Sequence, residues 1–237
     1  MLLACFAVSS VLLFAFPSID IAVSRAFFDK GFPWGNLWWQ PMLRATSVWF
    51  LCLSMISVVG IYSFNLLTKR NHLQVDGRKV VYLFLVLILG AGLIVNFGLK
   101  DHFGRARPRD VAEFGGTKTF TPAFVMSQQC QDNCSFSSGE GAAGFFAPAL
   151  ALALSRRRRV LAAAIGIGVV VSFARVAAGA HFLSDVVVSC FVMLIVADVL
   201  RCYMRLPERD LLSGAREPAD EGPRVTSLGR AQTGLGN

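Results

Sequence analysis

The chain has 237 residues, of which 54% are hydrophobic and 16% charged, with a formal net charge of +8. Its apolar residues come in long runs, which argues for an all-α, polytopic membrane protein, because only helices and closed barrels satisfy every backbone group in lipid. The alternating ten-residue segments of a membrane barrel do not occur, so that class is excluded.

About six transmembrane helices are predicted, at roughly 2–23, 45–67, 80–99, 139–154, 160–176 and 182–203. Pro17 and Asp20 interrupt the first; a cleaved signal peptide is the alternative there, although Met1-Leu2-Leu3 lacks the basic start such peptides carry. The fourth and fifth are short and rich in small residues, with Gly141, Ala142, Ala143 and Gly144 in one and Gly166 and Gly168 in the other, so they are predicted to pack closely inside the bundle. Three basic groups set the orientation: Lys69, Arg70, Arg78 and Lys79; Arg156 to Arg159; and Arg201, Arg205 and Arg209. All three fall on one side, which is predicted to be cytoplasmic along with both termini. The net charge then reports orientation, and nucleic acid is not an expected partner. Trp34, Trp38 and Trp39 are placed at the opposite interface. Residues 1–208 read as one membrane domain, and 209–237, rich in Gly, Pro, Ser and charge, as a disordered cytoplasmic tail.

This topology gathers three polar islands on the outer face: Lys100 to Pro108, Ser137 to Glu140, and Arg175 to Asp185. The first is strongly basic on the side where positive charge is disfavoured, which marks it as functional. Arg105 and Arg109 within it read as headgroup contacts or solvated charge, and Asp198 as a pairing or helix-packing residue. Cys130 and Cys134 lie in the long outer loop, where an oxidising space favours a disulfide; a pair of free thiols is the alternative, and a zinc site lacks two further ligands.

The islands form an inventory for phosphate chemistry. His181 and Asp185 are four residues apart, so on a helix they share a face and the carboxylate can accept the imidazole proton. The other ring nitrogen is then free to attack phosphorus and form a phosphohistidine. Lys100, Arg107 and Arg175 can neutralise the phosphoryl oxygens, and the amides around Ser138 and Gly139 open a helix whose start favours an anion. No grouped set of metal ligands accompanies them, so neither metal nor cofactor is expected. Taken singly, each of these residues has a bland reading as an interface anchor or a satisfied polar group. Their joint spacing and sidedness favour a phosphate site.

Lys100 followed six residues later by Arg107-Pro108, then Ser138-Gly139, then Arg175, His181 and Asp185, resemble the motifs of the type 2 phosphatidic acid phosphatase (PAP2) superfamily, from about Val80 to Asp198. The resemblance implies that Lys100, Arg107, Arg175 and the amides at Ser138 and Gly139 hold phosphate, that His181 is the nucleophile and that Asp185 orients it. The chain departs from the pattern at Glu140, where the family has a histidine that protonates the leaving alkoxide, and at Ala174, where serine is common. For Glu140 to serve as that acid it must be protonated, a form that apolar surroundings favour and neighbouring cations oppose. Glu140, together with Cys130, Cys134 and Ser135-Phe136, is similar to a bacterial subgroup that includes lipid A 4'-phosphatases. The implied activity is hydrolysis of a lipid phosphate at the periplasmic face of the bacterial inner membrane, with membrane lipids and the lipid phosphate as partners. Undecaprenyl diphosphate, phosphatidylglycerol phosphate and phosphatidic acid stay open as substrates, as do a lipid phosphotransferase and an inactive lipid-binding relative.

Overall fold

The structure is a computed structural model and describes residues 1–155 and 157–206. Arg156 and the expected tail at 209–237 lie outside the described residues. The architecture is all-α: α1 (Leu2–Ala15), α2 (Ser18–Arg25), α3 (Trp39–Thr68), α4 (Gly77–Leu85), which continues as a π-helix over Val86–Lys100, then α5 (Gly139–Leu154), α6 (Arg158–Ala177) and α7 (Leu183–Tyr203). Beyond helices and loops, the described residues contain one isolated β-bridge, between Val111 and Lys118.

Four helical stretches are long and apolar enough to cross a membrane: α3, the α4–π-helix segment, α6 and α7. The pair α1 and α2 adds a fifth span, bent by 84° at the break. The span expected over 2–23 is broken at Pro17, which removes a backbone donor and whose ring clashes with the preceding turn. Helix α5 has 16 residues, about 24 Å, short of the ~30 Å hydrocarbon core. Eleven of those residues are buried, so protein rather than lipid surrounds it.

Glycine makes that burial possible. Helix α5 packs most extensively on α6, and a Cβ on Gly144 would sit 3.1 Å from the Cα of Gly168. Helix backbones approach this closely only where side chains are absent, which is how helices associate when burial from water supplies no driving force. Met55, Tyr82, Leu83, Val86, Phe146 and Met193 fill the space between α3, α4, α5 and α7.

The segment between the π-helix and α5 is anchored by aromatic residues. Phe32, Phe114 and Phe182 cluster with Ala106 and Val111, while Phe136 and Ala123 cluster with Val188. A disulfide joins Cys130 to Cys134. These contacts carry Arg105, Arg107 and Ser135 to the end of the bundle where α5 and α7 begin.

Candidate active site

His181 lies in the turn before α7, wholly closed to solvent. Its Nδ1 is 2.8 Å from the carbonyl oxygen of Ser135. A carbonyl only accepts, so Nδ1 carries the proton and donates it, and Nε2 presents its lone pair. That Nε2 faces Oε2 of Glu140 at 3.3 Å.

The predicted contact between His181 and Asp185 takes a different form. The two do not share a helical face, because His181 precedes the helix and Asp185 sits in its first turn. The Asp185 Oδ2 is 3.7 Å from Nδ1, and its hydrogen bonds go elsewhere: to the amide of Phe182 (2.8 Å), the hydroxyl of Ser135 (2.5 Å) and the guanidinium of Arg105 (2.5 Å). Capping the start of α7 turns the carboxylate away from the ring. Ser135 therefore joins the two residues, its hydroxyl on Asp185 and its carbonyl on His181.

Arg105 corrects a second expectation. It is not solvated charge, since only 1% of it is exposed. It donates to Asp185, to the hydroxyl of Ser184 (2.8 Å), to the carbonyl of Thr121 (2.7 Å) and to Asp20 (2.8 Å), and lies 4.4 Å from the ring centre of Phe182. Asp20 in turn accepts from the amide and hydroxyl of Ser184. The polar residue that interrupts the first apolar run thus closes a buried network behind the histidine. Arg109, by contrast, is half exposed beside Asp110, and Asp198 pairs with Arg201 one turn on.

The phosphate-binding candidates converge on the open side of His181. Arg175, in the last turn of α6, places a guanidinium nitrogen 3.6 Å from Oε1 of Glu140 and donates to Gln40 at 3.0 Å. Its buried Nε has no partner among the described residues. Arg107 is held by two bonds to the carbonyl of Asn133, at 3.1 and 2.6 Å. Lys100 closes the π-helix opposite Gly139, where an added Cβ would lie 3.7 Å from Nζ. Ser138 caps α5: its hydroxyl accepts from the amide of Gly141 at 3.1 Å, so the side chain serves the helix. The amides of Gly139 and Glu140, which a helix start leaves without an intrahelical acceptor, are the donors this end offers to an anion. Among the described residues no group of three His, Cys, Asp or Glu side chains is arranged to hold a metal ion.

Arg44, Gln40 and Asp20 join this end of the molecule without belonging to any motif, and Ser135, which entered only through the subgroup resemblance, gains a structural place. Asp20 and Arg44 left a signal, a charge in an apolar stretch.

A helical membrane bundle with three cations, a helix start and a histidine at one mouth defines a class, and the sequence comparisons agree: residues 80–207 match the PAP2 superfamily, and the chain belongs to it. It is a phosphatase acting on phosphate monoesters. Its curated relatives include a lipid A 4'-phosphatase of Francisella tularensis subsp. novicida (strain U112), 32% identical over 73% of this chain and 80% of the relative. A lipid A 4'-phosphatase of Rhizobium leguminosarum is 31% identical over 77% of this chain and 85% of its own. No solved structure matches the chain.

Proposed function

We propose that this enzyme removes a phosphate from a lipid A-type substrate, the 4'-phosphate by analogy with its relatives, at the periplasmic face of the bacterial inner membrane, through a phosphohistidine at His181. The observation that carries the reading is the fixed ring: Nδ1–H bound to the Ser135 carbonyl, Nε2 aimed at Glu140, and Lys100, Arg107 and Arg175 around that opening. Asp185 and Arg105 hold Ser135 and, through it, the ring. The names of the relatives and the basic loops on the opposite side of the bundle support the substrate and the sidedness.

With Nδ1–H committed to Ser135, attack requires the Nε2 lone pair to be free. The mechanism therefore requires Glu140 to bind a proton when substrate is in place. The Nε2 lone pair forms the N–P bond, the bond from phosphorus to the sugar oxygen breaks, and Glu140 passes its proton to that oxygen. Glu140, now a carboxylate, takes a proton from water as the water oxygen attacks phosphorus; the N–P bond breaks, its pair returns to Nε2, and inorganic phosphate leaves. The three cations and the first-turn amides stabilise the charge on the phosphoryl oxygens in both steps.

The test is phosphate release by purified protein from lipid A, with the position of the lost phosphate read by fragmentation mass spectrometry. Parallel arms offer undecaprenyl diphosphate, phosphatidylglycerol phosphate and phosphatidic acid, and a labelled second lipid as acceptor. Loss of the 4'-phosphate to water supports the proposal. Exclusive turnover of another lipid, or transfer to the acceptor, replaces it.

A further inference from the structure

We infer that Arg44 is a specificity-determining residue that holds a second anionic group of the lipid being cleaved, in a groove between α3 and the mouth of α5. The inference rests on the reading of the site given above. The groove has a volume of about 190 Å³ and joins the site directly, because Lys100 and Glu140 form part of its wall. Arg44, Val48 and Leu51 line the α3 side at positions i, i+4 and i+7, and Ala143 of α5 faces them. Over roughly 10 Å of helix the lining changes from charged to apolar. Val48 is 58% exposed on the bundle surface, so the groove opens sideways rather than into the protein. One end accepts polar groups and the other the start of an acyl chain, the two chemistries of a single lipid.

Arg44 is the only charged residue in α3, a helix otherwise apolar enough to span a membrane. A cation there is costly unless it has a task. It has no hydrogen bond or ion pair among the described residues, and it is near enough to Lys100 and Arg175 for like charges to repel. The phosphate being cleaved does not need it: with Glu140 protonated, Lys100, Arg107 and Arg175 already exceed the charge of a phosphate monoester, which is close to two negative charges. Arg44 is the surplus cation, placed where the headgroup meets the acyl chains, and a further anionic group on the same molecule neutralises it. An interfacial anchor would also place an arginine near a span end, but it would turn away from two other cations rather than share a groove with one of them.

The experiment compares lipid A carrying two phosphates with lipid A carrying only the 4'-phosphate, using purified full-length protein in mixed micelles. Wild type is expected to favour the doubly phosphorylated lipid in kcat/KM by about tenfold, the value of one charge-assisted contact. Arg44→Ala should erase the preference and Arg44→Lys should restore part of it. In a His181→Ala background, which holds lipid without cutting it, the same preference should appear in Kd and vanish with Arg44→Ala. Should Arg44→Ala prove unstable in thermal unfolding, Arg44→Gln replaces it. Equal treatment of the two lipids by wild type, or an equal loss on both in the variant, overturns the inference and makes Arg44 an anchor. Absence of phosphate release from either lipid by wild type is a different result, which overturns the functional reading and this inference with it.

Discussion

The guanidinium of Arg105 is ion-paired with the carboxylate of Asp185, and both groups are closed to solvent. Because the same guanidinium also pairs with Asp20, the bent N-terminal helix pair and the start of α7 are tied through one side chain. The tie sits directly behind the histidine, so the N-terminal segment, outside the region that matches the family, contributes to the shape of the site.

Removing Arg105 leaves two buried carboxylates unpaired. Arg105→Met should therefore destabilise the protein by about 3–5 kcal/mol, read as a lowered unfolding midpoint in detergent. Asp20→Asn should cost less, since the amide still accepts from Ser184 and Arg105 keeps Asp185. Equal stability of Arg105→Met and wild type would disprove the network's role.

His181→Ala should abolish turnover, as no neighbouring group can replace Nε2. Asp185→Asn should act more weakly, because Nδ1 keeps the Ser135 carbonyl as its acceptor. A loss of roughly 10²–10⁴-fold is expected there, with activity still above that of His181→Ala. Reactions with radiolabelled substrate quenched at alkaline pH, where an N–P bond survives, should trap label on the wild type and none on His181→Ala. Label elsewhere would reassign the nucleophile.

Glu140→Gln should lower turnover by about 10²–10⁴-fold, the loss expected of a missing general acid. If Glu140 must be protonated to donate, wild-type activity falls as pH rises through the ionisation of the substrate-bound carboxyl, and the substitution should remove that alkaline limb. Glu140→His should recover part of the rate. An unchanged rate and pH profile for Glu140→Gln would make it a structural or headgroup-binding residue.

Sidedness is tested by fusing a reporter that is active only outside the cytoplasm. It should be active near Gly116 and silent near Asp76. The reverse would place the site on the cytoplasmic face and exclude an outer-leaflet substrate.

Chelation should leave turnover intact, while vanadate, which resembles pentacoordinate phosphorus, should inhibit it. Inhibition by EDTA that magnesium or zinc reverses would require a metal in the mechanism.

The sequence by itself determined the class, the approximate extent of most spans, and the family, because long apolar runs and three ordered motifs are local patterns that survive without coordinates. Lys100, Arg107, Arg175, His181 and Glu140 were legible as a set of candidates because residue type and ordered spacing suggest phosphate chemistry, and the fold brings Glu140 against both His181 and Arg175. Only the tertiary structure decided how the histidine is held. A backbone carbonyl has no signature in sequence, so the Ser135 oxygen on Nδ1 could not be read, and Asp185 was assigned a bond that helix capping directs elsewhere. Arg105 looked like surface charge because burial of an ion pair depends on partners 80 or more residues away, at Asp185 and Asp20. The groove at Arg44 has the same origin: it exists only where α3 lies against the mouth of α5, which brings Arg44 beside Gly139 and Glu140 from a distant part of the chain.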